Sequence, residues 1–128
     1  MTKRTRNNRS HTAARDYPRT ARLNQLFQEI LAEELEKIDD ERLELVTIMS
    51  VDVDGDLHRA VVYFDTLEGE DDDDDVLEAL GEQRYRLQGA IGRQARVKRT
   101  PELVFKPDAV GRGAARLEEV LRNIHDGE

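Results

Sequence analysis

Side chains that could carry out catalysis are sparse in this chain of 128 residues. There is no Cys, which excludes disulfides, thiolate metal sites and cysteine nucleophiles. The three histidines, His11, His58 and His125, fall in three separate segments, and no pair has the spacing of metal ligands or of a base and its nucleophile. No catalytic serine elbow, P-loop or dinucleotide fingerprint is present. We therefore expect a protein without catalytic activity, without a metal and without a cofactor.

The densest group of carboxylates is the segment from Glu68 to Asp75, which places seven acids in eight positions. Five consecutive aspartates cannot all point at one ion, and the segment has no glycine at the spacing that an EF-hand loop requires. We expect a solvated, self-repelling loop. Its last aspartates should stabilise the start of the next helix, because a helix dipole favours negative charge there.

Cations are the remaining candidates for chemistry, and they are concentrated in two segments. Residues 1–22 hold seven Lys and Arg against one acid, and residues 83–100 hold six against none. The net charge of the whole chain is −8, so the other 88 residues carry −20. A positive patch on an acidic body attracts a polyanion to the patch and repels it elsewhere. The alternative interpretation of each segment is a solvated basic surface.

Composition predicts one soluble domain. Charged and apolar residues each make up 38% of the chain. No apolar run approaches the roughly 20 residues that span a bilayer, and the basic start is not followed by the apolar stretch of a signal peptide. We expect a cytoplasmic protein with no membrane partner.

The spacing of apolar residues predicts the elements that position the cations. Residues 1–18 lack apolar periodicity and are predicted to be a disordered basic arm. An amphipathic helix is predicted over about 19–38, because apolar residues recur there at intervals of three and four. Those residues are Leu23, Leu26, Phe27, Ile30, Leu31, Leu35 and Ile38. Glu34 interrupts this apolar stripe.

Three strands are predicted. Those over about 43–53 and 57–65 are joined by a turn at Asp54 and should pair antiparallel. The third, over 96–106, contains Pro101, which cannot donate a ladder hydrogen bond and so favours a sheet edge or a bulge.

A second helix, over about 76–95, carries the second basic segment. Arg84 interrupts its apolar stripe, and a straight helix would direct this guanidinium into the core. Burial of an unpaired charge costs more than a local bend, so a kink is predicted between about Gly81 and Tyr85. An Arg84 side chain that snorkels to the rim of the core is the alternative.

The polar face of this helix presents Arg86, Gly89 and Arg93 opposite the apolar stripe. Two cations on either side of a residue without a side chain would let a phosphate backbone approach closely. The string from Gly89 to Gly92 also matches the GxxG with which KH domains grip nucleotides. It lies within the unbroken apolar stripe, so we interpret it as a chance match.

A short closing helix is predicted after Gly111 and Gly113, followed by a tail over 126–128. The order of helix, strand, strand, kinked helix, strand and helix predicts an α+β fold, with a three-stranded sheet covered by helices on one face. No unaccounted apolar face suggests a dimer, so a monomer is expected.

The order and spacing of these segments resemble the ribosome-binding factor A family over about residues 19–124. The resemblance rests on RTARLNQLFQEILAEEL, on DERLELVTIMSVDVDGDLHRAVVYF, on IGRQARVKRTPEL and on GAARLEEVL. One departure is at the kink, where the family's Ala-x-Gly interruption is replaced by Gln83, Arg84 and Tyr85. The acidic loop and the arm are also poorly matched.

The resemblance implies a KH-like, type II RNA-binding domain over 19–125. It further implies a non-catalytic assembly factor that binds the free small (30S) ribosomal subunit through 16S rRNA near the decoding-region neck. Such a factor supports late maturation, including processing of the 5′ end of precursor 16S rRNA, aids growth in the cold, and is released with the help of an assembly GTPase.

The residues themselves support a narrower expectation, a polyanion contact made by a positive face. Recognition of rRNA shape is expected, because Tyr85 is the one aromatic residue near the cations. Two alternatives are a protein-interaction module that uses the acidic loop, and a general binder of single-stranded RNA. The predicted RNA-binding residues are Arg15, Arg19, Arg22, Arg84, Arg86, Gly89, Arg93, Arg96, Lys98 and Arg99.

Overall fold

The computed structural model describes residues 20–67 and 69–126. Helix α1 spans residues 20–36. It is followed by a 3-10 turn (Glu41–Leu43), β1 (Val46–Val53), β2 (Arg59–Thr66), a second 3-10 turn (Glu70–Asp72), α2 (Asp73–Glu82), α3 (Arg84–Gln94), β3 (Glu102–Pro107) and α4 (Ala109–Asp126). The predicted α+β order is confirmed. The predicted arm over residues 1–18, which holds Arg15, lies outside the described residues, as does Arg19.

The three strands form one sheet in the order β1-β2-β3. Strands β1 and β2 pair antiparallel, and the turn between them is closed by Asp54, whose Oδ1 accepts a hydrogen bond from the backbone N–H of His58 at 2.9 Å. Strand β3 pairs parallel to β2, with Glu102 opposite Arg59. Strand β3 is at the edge of the sheet, as predicted. Its predicted start at residue 96 is wrong, because the strand begins at Glu102, directly after Pro101, whose missing N–H cannot join the ladder.

Helices α1, α2 and α3 pack on one face of the sheet. The largest fully buried apolar side chains come from both layers: Phe27, Leu31, Val76, Leu80, Leu87 and Ile91 from the helices, and Val62, Phe64 and Leu103 from the strands. Two polar side chains fix α1 to β1. Asn24 Oδ1 accepts from the Val53 N–H at 2.8 Å, and Gln28 donates to the carbonyls of Ile48 and Met49. Because of these bonds, α1 begins at the end of the sheet where β1 ends.

The predicted kink is confirmed, and it lies at Gln83. Helix α2 ends at Glu82 and α3 begins at Arg84, while Gln83 between them has a ψ of 3° instead of a helical value. Arg84 is exposed, and its guanidinium carbon lies 6.0 Å from the centre of the Phe105 ring. The break therefore keeps the charge of Arg84 out of the core. The cost of burying that charge is the physical reason for which the kink was predicted.

Ion pairs hold the chain on both sides of the break. Before it, Arg42 donates two hydrogen bonds to the Glu82 carboxylate, at 2.8 and 3.2 Å, and also binds Asp40 at 2.7 Å. After it, Arg86 binds Glu34 of α1 at 2.9 Å. The direction of α3 is therefore set by contacts to α1 and to the turn before β1.

Helix α4 differs from its prediction in start, length and packing. It begins at Ala109, ahead of both glycines, and extends over 18 residues. The expectation that no apolar face is left over is wrong, because Val110 is 85% exposed and four further apolar side chains of α4 are more than half exposed. Those four are Leu117, Val120, Leu121 and Ile124.

The packing of α4 explains this exposure. Its ion pairs with the body come from Arg112 and Arg116. At 100° per residue, Arg112 lies roughly 160° to 200° around the helix from Val110 and Leu121. The charged side of α4 therefore contacts the body, and its apolar side points away from it. Over residues 20–67 and 69–126, no helix is long and apolar enough to cross a membrane.

Candidate nucleic-acid interface

The topology brings cations from two distant segments to one end of the sheet. Strand β1 ends there, and β2 and β3 begin there, since Arg59 pairs with Glu102. Arg22 is in the first turns of α1, beside the end of β1. The connection from α3 to β3, residues 95–101, reaches the same end. The predicted contacts in α1 and after α3 are therefore on neighbouring parts of the surface.

Arg86 and Arg93 lie on the side of α3 that faces α1. Arg86 Nε donates to Glu34 Oε2 at 2.9 Å, and the charge of Arg93 also acts on the Glu34 carboxylate. A Cβ placed on Gly89 would be 3.2 Å from Nη1 of Arg93, so the Arg93 guanidinium folds back over this glycine toward Arg86. The space at Gly89, which we expected a phosphate to use, is thus occupied by a cation.

Glu34 is a buried carboxylate within this group of cations. It is 6% exposed, and Nζ of Lys37 lies 3.8 Å from its Oε1. The hydrogen bond from Arg86 holds the pKa of Glu34 below its ordinary value, assisted by the charges of Lys37, Arg86 and Arg93 and opposed by burial. The sequence analysis missed Lys37. An acid inside an apolar stripe needs a cationic partner, and that signal was available at Glu34.

The connection from α3 to β3 holds three exposed cations, Arg96, Lys98 and Arg99. None of the three forms an ion pair with an acid in the described part of the chain. Arg96 has a φ of 50°, which reverses the chain as α3 ends. A Cβ on Gly92 would approach Thr100 Oγ1 to 3.0 Å. The glycine therefore permits close packing of this connection against α3.

Arg84 does not join this group. It is two residues before Arg86, which is about 200° around a helix, and it lies beside Phe105 of β3. Arg86 and Arg93 thus line the side of α3 that faces α1, and the connection cations follow directly after the end of α3, at the same end of the sheet as Arg22. We call the set Lys37, Arg86, Arg93, Arg96, Lys98 and Arg99 the basic surface.

The acidic segment lies at the other pole and is not simply a solvated loop. Arg112, which is 11% exposed, binds the Asp73 carboxylate with both terminal nitrogens, at 2.7 and 2.9 Å, and Asp65 with Nε at 2.7 Å. Arg116 pairs with Glu70. These carboxylates raise the pKa of Arg112. The expected solvated, self-repelling loop is found only in part, because Glu70 and Asp73 pair with cations of α4, about 40 residues later, and the segment is helical from Glu70.

The first turn of α2 contains Asp73 to Asp75, as the helix dipole predicts. Within residues 20–67 and 69–126, no group of three or more His, Asp or Glu residues is arranged to hold a metal ion.

Comparison with known proteins decides the family. A family model described as Ribosome-binding factor A matches residues 19–121. This chain belongs to the ribosome-binding factor A family. A ribosome-binding factor A of Corynebacterium kroppenstedtii is 42% identical over 111 residues, which cover 83% of this chain and 72% of that protein. The corresponding protein of Rubrobacter xylanophilus is 35% identical over 113 residues, which cover 86% of this chain and 92% of that protein.

Solved structures of the ribosome-binding factor A family are similar in fold. The protein in a crystal structure from Thermus thermophilus is 33% identical, with a TM-score of 0.62 over 69% of this chain and 93% of that one. A Thermus thermophilus ribosome-binding factor A fitted into a cryo-EM map of a 30S complex is 32% identical. Its TM-score is 0.55, and the match covers 65% of this chain and 88% of that one. This chain therefore has the KH-like fold of a family that acts in ribosome biogenesis.

Proposed function

We propose that this protein is a non-catalytic assembly factor that binds the free 30S subunit through 16S rRNA during late maturation. The observation that supports this proposal most directly is the basic surface, where exposed cations converge on an otherwise acidic molecule. The fitted position of the Thermus thermophilus relative in a 30S complex supports the same partner.

The basic surface suits a phosphate backbone better than a base-reading interface. Each phosphate contact releases condensed counterions, so binding should weaken steeply as salt rises. Tyr85 is exposed next to the break, but the described part of the basic surface contains no other exposed aromatic ring for base stacking. Recognition should depend on rRNA shape, and the acidic pole should disfavour docking in the wrong orientation.

The N-terminal residues and further partners extend this role beyond the basic surface. Residues 1–18 act as a basic arm that extends the contact through Arg15, joined by Arg19 and Arg22. In the cytoplasm the protein supports processing of the 5′ end of precursor 16S rRNA and growth in the cold, and an assembly GTPase releases it. A protein-binding role for the acidic segment has less support, because Glu70 and Asp73 are already paired with α4.

Co-sedimentation with purified 30S subunits and complete 70S ribosomes tests this function. The wild-type protein should bind the 30S subunit in preference to the 70S ribosome, and Arg93→Glu combined with Arg96→Glu should abolish binding. Arg122→Glu is the control, since it reverses an exposed cation on α4 outside the basic surface. Equal binding of unrelated RNAs would favour a general RNA binder, and undiminished binding of the double variant would exclude the basic surface.

A further inference from the structure

Glu34 and its three cations form an arrangement that a phosphate contact alone does not explain. A carboxylate beside a phosphate site lowers the local positive potential, and Glu34 is buried in the helix layer where it cannot turn away. It faces Arg86 at 2.9 Å, Lys37 at 3.8 Å and the charge of Arg93. One negative charge among three positive ones leaves a local excess of two positive charges.

The bond to Glu34 uses only one side of the Arg86 guanidinium. Nε donates to the carboxylate, whereas the two terminal nitrogens have no acceptor within the described residues. Arg86 remains 43% exposed. Because a guanidinium can donate in parallel from its terminal nitrogens to two oxygens of one phosphate, the free end of Arg86 is suited to an external anion.

Two further cations point to the same place. The guanidinium of Arg93 folds back over Gly89 by one helical turn, which shortens its separation from Arg86. Lys37 is three residues after Glu34, directly after the end of α1, and is mostly exposed. The three cations come from α3 and from the end of α1, and the buried carboxylate is the group that they share.

We propose that Lys37, Arg86 and Arg93 bind one phosphodiester of the rRNA where α1 meets α3, and that Glu34 is the positioning residue of this site. The proposal rests on the proposed function and identifies where on the basic surface a backbone phosphate is held. Glu34 fixes the Arg86 side chain before binding, so less side-chain freedom is lost when the phosphate arrives. It also reduces the repulsion among three cations that must lie close together.

Substitutions of Glu34 distinguish positioning from simple electrostatics by the sign of their effect. Both Glu34→Gln and Glu34→Leu remove one negative charge next to the site. If charge alone mattered, both would tighten binding to the 30S subunit by the same factor. Positioning predicts the opposite, with binding about threefold weaker for Gln, which still accepts a hydrogen bond, and about tenfold weaker for Leu, which does not.

The matched control is Glu33→Gln, which removes the same charge from the same helix at an exposed position one residue earlier. Its affinity for purified 30S subunits, titrated at three salt concentrations, should equal or slightly exceed that of the wild-type protein. Thermal unfolding of each variant verifies the fold. Leu extends the apolar stripe of α1, so Glu34→Leu should stay folded even if Glu34→Gln does not.

The outcomes separate the two proposals. Binding by folded Glu34→Leu that is as tight as that of Glu33→Gln would overturn the role of Glu34, while leaving the 30S contact intact. Failure of the wild-type protein to bind the 30S subunit would instead overturn the proposed function.

Discussion

The two poles of this molecule use arginine in different ways. At the acidic pole, Arg112 donates three hydrogen bonds to two carboxylates and is 11% exposed. At the basic surface, Arg86 donates one hydrogen bond to Glu34 and is 43% exposed. An arginine whose three nitrogens all donate to carboxylates fastens one part of the chain to another, whereas one whose terminal nitrogens are both free can bind an external phosphate. The number of donors in use therefore distinguishes the two roles better than the presence of an ion pair.

The largest effect that this comparison predicts is on the stability of the α4 contact. Arg112→Met should lower the free energy of unfolding by about 2 to 3 kcal/mol, because it leaves the mostly buried Asp73 without its partner. Urea denaturation measures this loss, and hydrogen exchange should show faster exchange across α4. Arg86→Met also leaves a buried carboxylate, Glu34, without its hydrogen-bonded partner, so it should lower stability by a comparable amount, but of the two variants it alone should weaken 30S binding. The control is Arg122→Met on α4, and similar unfolding of the Arg112 and Arg122 variants would contradict the comparison.

A smaller effect is expected at Gly89, where stability and binding should change in opposite directions. Gly89→Ala should raise the free energy of unfolding by about 0.5 to 1 kcal/mol, since alanine favours a helix interior. The new Cβ would lie 3.2 Å from Arg93 Nη1 and displace the guanidinium, so affinity for the 30S subunit should fall about twofold. Gly81→Ala in α2 is the matched control, because nothing lies within 4 Å of its Cβ position. It should stabilise without weakening binding.

The smallest predicted effect is a change in acid stability. The folded-state pKa of Glu34 is lowered, so its ion pair stabilises the fold fully above the unfolded-state pKa of about 4.3 and stops doing so as pH falls through the folded-state value. The stability difference between the wild-type protein and Glu34→Gln, measured by urea denaturation, should therefore be larger at pH 6 than at pH 3. Asp40 and Glu82 also have lowered pKa values, but they are present in both proteins and cancel. A difference that does not change with pH would show that the Glu34 charge does not stabilise the fold.

Local patterns predicted those features whose causes are local. The break near Arg84 followed from one charge in an apolar stripe, because the cost of burying it depends on the helix alone. The limit that Pro101 sets on the ladder also followed from one residue, because it lacks the donor that a paired position needs, and β3 begins directly after it. In both cases the physical constraint and its structural consequence are within a few residues of one another.

Long-range partners could not be predicted in the same way. In the sequence, Glu34 is visible only as an interruption of an apolar stripe. Its partner Arg86 lies 52 positions later in the chain, and only the fold places the two side by side. The periodicity of α4 indicated an apolar face but not which face would contact the body, and Arg112 reversed the expected orientation by pairing with Asp65 and Asp73. The predicted RNA-binding residues stay a prediction. The separation of Arg84 from Arg86 was not visible without the fold, whereas Lys37, three residues after Glu34, could have been found from the sequence.

The bend at Gln83 differs from the small-residue interruption that the family resemblance led us to expect. Arg42 binds Glu82 just before it, and Glu34 binds Arg86 just after it, so each flank is attached separately to the neighbouring layer. Backbone permissiveness at the junction is then unnecessary, because the two attachments fix the angle from outside. The angle between α2 and α3 therefore depends on two pairs of opposite charge contributed by distant parts of the chain, and not on a small residue at the junction.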